Sequence, residues 1–177
     1  MRNKSNEIVS VKTSTFGVNH VMVESNKGFA EVTKNFERQL GKFDTSVFES
    51  LFVGPQNVEN IKSKIEKMSG RSGFMLFGTI NHGLLLSLSG KDRKVVQYVI
   101  GNPLIAIQMT QHNIATGLYA PLRVLIYEDD QGKTCLEYDK PSSLFGQFGD
   151  DKIASVANML DNKLEDLVRV ATECKED

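Results

Sequence analysis

Three histidines, His20, His82 and His112, are the side chains of this sequence that titrate nearest to neutral pH. None of them has a second histidine or a cysteine at the short spacing of metal ligands, so no metal site is predicted. His82 follows an apolar run at a predicted turn, where a side chain can reach a surface cleft. An imidazole there could bind a ligand or act as a general acid or base. The alternative is a turn histidine that simply faces solvent.

Polar residues between Gly101 and Ser143 form the second group of candidates. Arg123 could hold an anionic ligand, or it could pair with Glu137 on a neighbouring strand if the register allows. Asn102 either contacts a ligand or caps the helix that follows it. The ligand-binding candidates are therefore His82, Asn102, Arg123 and Tyr127. A pocket beside them would be lined by apolar groups such as Ile107, Met109 and Leu125.

The tripeptide Gly132-Lys133-Thr134 matches the end of a phosphate-binding P-loop. That motif requires a glycine five residues before Gly132, and Tyr127 stands there. The tripeptide also follows Asp129 in a predicted hairpin turn, not between a strand and a helix. No motif for a nucleotide, a metal or a flavin is found, and the cofactor is left open.

The 177-residue chain carries 21 Lys and Arg against 22 Asp and Glu, which gives a formal charge of −1. This balance excludes a protein that attracts nucleic acid through a strong overall positive field. With 40% hydrophobic residues, the chain is long enough for one domain with its own core. It contains no stretch of 18 apolar residues, so no membrane span is predicted.

Two cysteines, Cys135 and Cys174, lie far apart in the sequence without a CxxC pair. Isolated thiols are typical of a reducing compartment. The polar residues after Met1 are not followed by the apolar stretch of a signal peptide. Both observations predict a cytoplasmic protein.

Hydrophobic periodicity predicts the elements that position these side chains. Residues 18–24 alternate as a strand does, and Asn26 is expected to cap a helix that ends at Gly41. An apolar cluster at residues 43–53 is followed by an amphipathic helix over residues 58–68.

The second half of the chain alternates short β-rich runs with helices. Strands are predicted at residues 74–80, 84–88, 95–100, 122–128 and 134–139. Helices are predicted after the Asn102-Pro103 cap and over residues 151–172. Strands in groups, with helices between the groups, indicate an α+β fold: a single mostly antiparallel sheet with helices packed on one face.

One part of the sequence resembles a known family. The matching residues are 100–103 (Ile-Gly-Asn-Pro), Met109, Leu118, 120–124 (Ala-Pro-Leu-Arg-Val) and Tyr127-Glu128. They resemble the DUF302 family, a domain of unknown function with a compact α+β fold, in which many relatives carry a histidine where His82 falls. The resemblance implies the fold and raises a homodimer as an expectation, but the family has no settled activity to transfer.

The chain is predicted to consist of an N-terminal extension and one domain, which departs from the short form of that family in two places. Residues 1–17 form a polar N-terminal extension, and residues 18–173 form a single DUF302-like domain. Within that domain, about residues 42–72 are an insertion and about residues 151–172 are an added C-terminal helix.

These observations support three hypotheses about function. The first is a small-molecule-binding or accessory domain. The second is an enzyme that uses His82 as a general acid or base, assisted by Arg123 or Tyr127. The third is a protein-interaction module that docks through the apolar cluster at residues 43–53.

Overall fold

A computed structural model describes residues 10–55 and 57–172. Its elements, in order, are β1 (His20–Ser25), α1 (Phe29–Gln39), β2 (Gly41–Lys42), α2 (Thr45–Ser50), α3 (Val58–Met68), β3 (Met75–Asn81), α4 (His82–Ser87), β4 (Val95–Gly101), α5 (Pro103–Thr110), a 3-10 helix (Ile114–Tyr119), β5 (Leu122–Glu128), β6 (Thr134–Asp139), α6 (Pro141–Phe145), a second 3-10 helix (Gly146–Phe148) and α7 (Asp151–Thr172). In these described ranges, none of the helices combines the length and the apolar character that a membrane span requires.

The strands form one sheet in the order β1-β6-β5-β4-β3-β2. Every neighbouring pair is antiparallel except the short β2, which runs parallel to β3. The register of β3 shifts at a bulge between Leu76 and Gly78. The prediction of an α+β fold with a single mostly antiparallel sheet is therefore confirmed.

Helices α1, α5, α6 and α7 cover one face of this sheet. Successive side chains of a strand point to opposite faces of the sheet. On β5, Leu122, Val124 and Ile126 are buried against the helices, while Arg123 points to the other face and is exposed. The inward residues of β4 and β6 join the same core as the buried side of α7. Each such aliphatic side chain contributes roughly 1.5–3 kcal/mol by leaving water.

Residues 42–72 pack on their own chain and form a second, smaller core. Leu51 of the α2 end, Ile65 of α3 and Met75 of β3 are buried there together. The ring of Phe43 lies 4.4 Å from that of Phe77 and 5.1 Å from that of Phe48, measured between centroids. Of the predicted 43–53 cluster, Phe43, Phe48 and Leu51 therefore pack internally. Val47, Phe52 and Val53 are exposed.

Two local predictions from the sequence are wrong. Residues 84–88 are not a strand, because α4 begins at His82 and the side chain of Asn81 caps it, accepting from Leu84 N at 3.0 Å. A run of leucines without polar alternation suits a helix, and this cap decides the outcome. Helix α1 begins after Gly28 instead of Asn26. Between β1 and α1, the N–H of Lys27 donates to Ser25 Oγ at 3.1 Å, so residues 25–27 form a turn before the helix begins.

A close backbone junction joins the two cores. The carbonyl oxygen of Phe74 accepts from Gly41 N at 2.9 Å and from Gly70 N at 3.0 Å, which ties the ends of α1 and α3 to the start of β3. Gly41 and Gly70 touch so closely that a Cβ on either would overlap backbone atoms of the other segment. Glycine is required here for the close approach and not for a special backbone angle.

We expect the substitution Gly70→Ala to lower the free energy of unfolding by at least about 2 kcal/mol, because its Cβ would collide with the backbone of Gly41 and Leu40. Urea denaturation followed by circular dichroism measures the effect. Gly17→Ala is the matched control, since a Cβ at Gly17 meets nothing within 4 Å. Equal stability of the two variants would contradict this account of the junction.

Candidate functional site

An apolar cavity of about 210 Å³ lies between the sheet and the helices, at the end of β4 where α5 begins. Its walls are almost entirely hydrocarbon. They include Phe74, Phe77, Gly101, Asn102, Pro103, Ala106, Met109, Pro121, Phe145 and Leu160. Met109 is buried, whereas Pro103, Ala106 and Pro121 keep some solvent exposure and mark the mouth.

Asn102 organises one wall of the cavity. Its Oδ1 accepts from Leu104 N at 2.9 Å and so caps α5, as one of the two sequence interpretations predicts. Its Nδ2 donates to Gly73 O at 2.9 Å and to Ser69 Oγ at 3.1 Å. Both amide hydrogens are therefore used to hold the loop at residues 69–73 against the start of α5.

Gly101 and Pro121 bring together the two segments on which the family resemblance rests. A Cβ at Gly101 would lie 3.1 Å from the ring of Phe77 and 3.3 Å from Pro121 Cβ, so the absence of a side chain lets these groups close the wall. The Ala120–Pro121 peptide bond is cis. Residues 100–103 and 120–122 thus meet at the cavity although about 20 residues separate them in sequence.

Arg123 lies in a second groove, of about 470 Å³, on the other side of residues 119–122. Asp139, Leu118 and Tyr119 also line this groove. The suggested direct cross-strand pairing of Arg123 with Glu137 is wrong, because the β5 residue opposite Glu137 is Leu125. Among the described side chains, no carboxylate forms an ion pair with Arg123.

The four candidate residues do not converge on one site. His82 is the first residue of α4, just past the end of β3, and Tyr127 is near the end of β5 on the same side of the molecule. Asn102 follows the opposite end of β4, roughly 20 Å away for a seven-residue strand. His82 lines neither the apolar cavity nor the groove beside Arg123.

The apolar residues named for the pocket also separate. Met109 lines the cavity. Ile107 is 58% exposed on the outer side of α5, and Leu125 lies on the sheet face that the helices leave uncovered.

A polar cluster that sequence reasoning missed occupies this uncovered face. His20 Nδ1 lies 2.9 Å from Asp139 Oδ1, and its Nε2 lies 3.2 Å from Glu137 Oε2. The hydroxyl of Tyr127 donates to Glu137 Oε1 at 2.6 Å. The partners of His20 are 117 and 119 residues away, and only the pairing of β1 with β6 brings them together.

These contacts shift two titrations. The hydrogen bond to Asp139 and the contact with Glu137 raise the pKa of His20 above its usual value of 6.5. Donation to the Glu137 carboxylate raises the pKa of the Tyr127 hydroxyl. Despite these neighbouring carboxylates, no group of three His, Cys, Asp or Glu side chains in the described ranges is arranged to hold a metal ion.

Comparison with known proteins assigns the family but no activity. The sequence model of a family described as "Domain of unknown function DUF302" matches residues 52–171, more than half of the chain. The chain belongs to the DUF302 family. No protein with curated annotation matches the chain. The match includes α7, and the predicted division into extension, insertion and added helix stays a prediction.

A solved structure of another DUF302 protein has the same fold as this chain. It is the crystal structure of an uncharacterized conserved protein DUF302 from Bacillus stearothermophilus, 18% identical in sequence. The similarity covers 86% of this chain and 97% of that one, with a TM-score of 0.60. At this identity the likeness shows the fold alone.

We expect Asn102→Ala to cost more stability than Asn113→Ala. Asn113 also caps a helix, accepting from Ala115 N at 3.0 Å, but its side chain makes none of the additional bonds of Asn102. The cap is worth about 0.5–2 kcal/mol in each, and the lost contacts to Ser69 and Gly73 should add about 1–3 kcal/mol. Thermal melting of the two variants measures the difference, and equal losses would contradict the linking role of Asn102.

We expect His20 to titrate above pH 6.5 and each of the variants Glu137→Gln and Asp139→Asn to lower its pKa. Because the pKa of His20 is raised in the folded state, its contribution to stability is full below pH 6.5. That contribution disappears as the pH rises through the folded-state pKa. Histidine ring signals in an NMR titration give the pKa directly. A value at or below 6.5 in the wild type would be inconsistent with the observed contacts.

Proposed function

We propose that this DUF302 protein binds a small, mostly apolar molecule in the cavity at the start of α5. The observation that carries the proposal is a formed cavity of about 210 Å³ with nearly pure hydrocarbon walls. A protein cavity of about 150 Å³ lined by Leu, Ile and Phe is enough to bind benzene. The space here therefore suits one substituted aromatic ring or a short hydrocarbon chain.

The hydrogen bonds of the Asn102 side chain favour an apolar ligand over a polar one. Both hydrogens of its amide are donated to Ser69 and Gly73, and its oxygen caps α5, so the polar group at the wall is already satisfied. A ligand that required hydrogen bonds would compete with these contacts. Recognition would then depend on shape and on removal of apolar surface from water.

Arg123 supports a second candidate, the binding of an anionic ligand in the adjoining groove. Among the described residues Arg123 takes part in no ion pair, and Leu118 and Tyr119 provide apolar surface beside it in a groove that Asp139 also lines. A carboxylate on an apolar skeleton fits both features. The comparison of octanoic acid with octanamide tests it: the acid should bind more tightly, and Arg123→Gln should remove that difference.

We expect Ala106→Phe to fill the cavity and abolish binding of small aromatic probes. Ala106 lines the mouth, and a phenyl group there would occupy the space of a ligand. Native mass spectrometry detects any co-purified molecule, and ligand-observed NMR with toluene and indole measures binding. Ala30→Phe is the matched control, because Ala30 is an exposed residue of α1 outside the cavity. Unchanged binding in Ala106→Phe, or no binding of any probe to the wild type, would contradict the proposal.

A further inference from the structure

Strand β1 forms one edge of the sheet and leaves a row of backbone groups open. Lys140 N donates to Asn19 O at 2.8 Å, which makes Asn19 and Lys140 a hydrogen-bonded pair of the β1–β6 ladder. Because such pairs alternate along an antiparallel ladder, the N–H and C=O groups of His20, Met22 and Glu24 point away from β6. Within the described chain no other strand pairs with this edge.

This edge lacks several of the features by which proteins block edge pairing, although it carries the charged Glu24 and the titratable His20. The strand reads His-Val-Met-Val-Glu-Ser, without proline or lysine, and its register against β6 is continuous. Beside it runs a groove of about 430 Å³, which is lined by Val21, Val23 and Val168 together with the charged residues Lys140, Glu165 and Arg169. The opposite edge of the sheet, β2, is only two residues long.

We propose that β1 pairs antiparallel with β1 of a second copy of this chain, about a two-fold axis that passes through Met22. Directly opposed residues of an antiparallel pair must lie on the same face of the sheet. With the axis at Met22, each His20 faces Glu24 of the other copy on the uncovered face, and Val21 faces Val23 on the helix side. The residues with free backbone groups then oppose one another, which gives up to about six new hydrogen bonds.

Charge complementarity selects this register. Within each chain Glu24 pairs with Lys133, and His20 contacts Glu137 and Asp139. Across the seam, Lys133 and Glu24 of one copy are followed by His20 of the other copy and then by the carboxylates that His20 contacts. The sign of the charge alternates along this row. The same order repeats on the other side of the axis. An axis at Val21 or Val23 would place His20 or Glu24 opposite Met22 and would leave two hydrogen-bonded residue pairs within the strand instead of three.

The valines add apolar contact to this hydrogen-bonded seam. Val21 and Val23 are only half-buried in one chain, and they line the groove beside α7. In the proposed dimer, Val21 and Val23 of the second copy would extend this apolar surface on the helix side of the sheet. The seam therefore combines backbone pairing, alternating charges and burial of apolar surface, which together favour a second copy over an unrelated strand.

Sedimentation velocity of the full chain tests the proposal. We expect a dimer for the wild type and a dissociation constant at least about tenfold higher for Met22→Lys, because two ammonium groups would meet at the axis. Within its own chain the new group lies opposite Glu137, so the monomer should tolerate it. Ile80→Lys is the control: Ile80 is 44% exposed, Met22 is 55% exposed, and Ile80 belongs to β3, far from this edge.

Cross-linking and hydrogen exchange identify the contact itself. In a Cys174→Ser background, Met22→Cys should give a disulfide-linked dimer on mild oxidation and Ile80→Cys should not. The amide protons of His20, Met22 and Glu24 should be protected in the wild type and exchange faster in Met22→Lys.

Three results would overturn the proposal. A wild type that stays monomeric at high concentration excludes the pairing. A dimer unchanged by Met22→Lys and not cross-linked by Met22→Cys assigns self-association to another surface. A monomer with those three amides already protected assigns the β1 edge to a segment of the same chain outside the described residues.

Discussion

The fold depends on one crowded junction at residues 69–74, where the ends of two helices meet the start of β3. Phe74 O accepts two backbone hydrogen bonds, and the side chain of Asn102 joins this loop to the start of α5. Without side chains at Gly41 and Gly70, the backbones approach closely enough for those bonds to form. The contact links the large core, the small core and the cavity wall, because Phe74 belongs to the first, Met75 belongs to the second, and Phe74 and Asn102 line the cavity.

The two faces of the sheet differ: one packs against the helices, and the other carries the polar cluster. Helices cover one face, so most inward residues of the central strands β4, β5 and β6 are aliphatic or aromatic and buried. The uncovered face carries His20, Glu137 and Tyr127, which satisfy one another across three neighbouring strands. Charges on exposed strands contribute little to stability singly, but their order along a face determines which surfaces can approach it.

Sequence patterns predicted those elements whose determinants are local. Helix α7 and strands β5 and β6 have the predicted bounds, because a long apolar stripe and a tight Asp-Gly-containing turn specify them within a short window. The leucines at 84–88 lack such a signal, and a single capping residue made them helical. Side-chain type alone grouped His82 with Asn102, Arg123 and Tyr127, but strand order and register, which depend on distant pairing, place them apart. His20 was missed for the same reason.

The cavity is lined by residues of β4 and β5, which lie two and three strands from the β1 edge, and α7 lines both the cavity and the groove beside that edge. Leu160 belongs to the cavity wall, whereas Val168 lines the groove below β1, two turns further along the same helix. Both residues belong to one continuous 22-residue helix, so α7 is the element through which the two places are physically connected. Ligand binding in the cavity and strand pairing at the β1 edge can influence each other only if each of them changes the preferred position of α7. Any such coupling is reciprocal: a ligand that strengthened pairing would itself bind more tightly to the paired form.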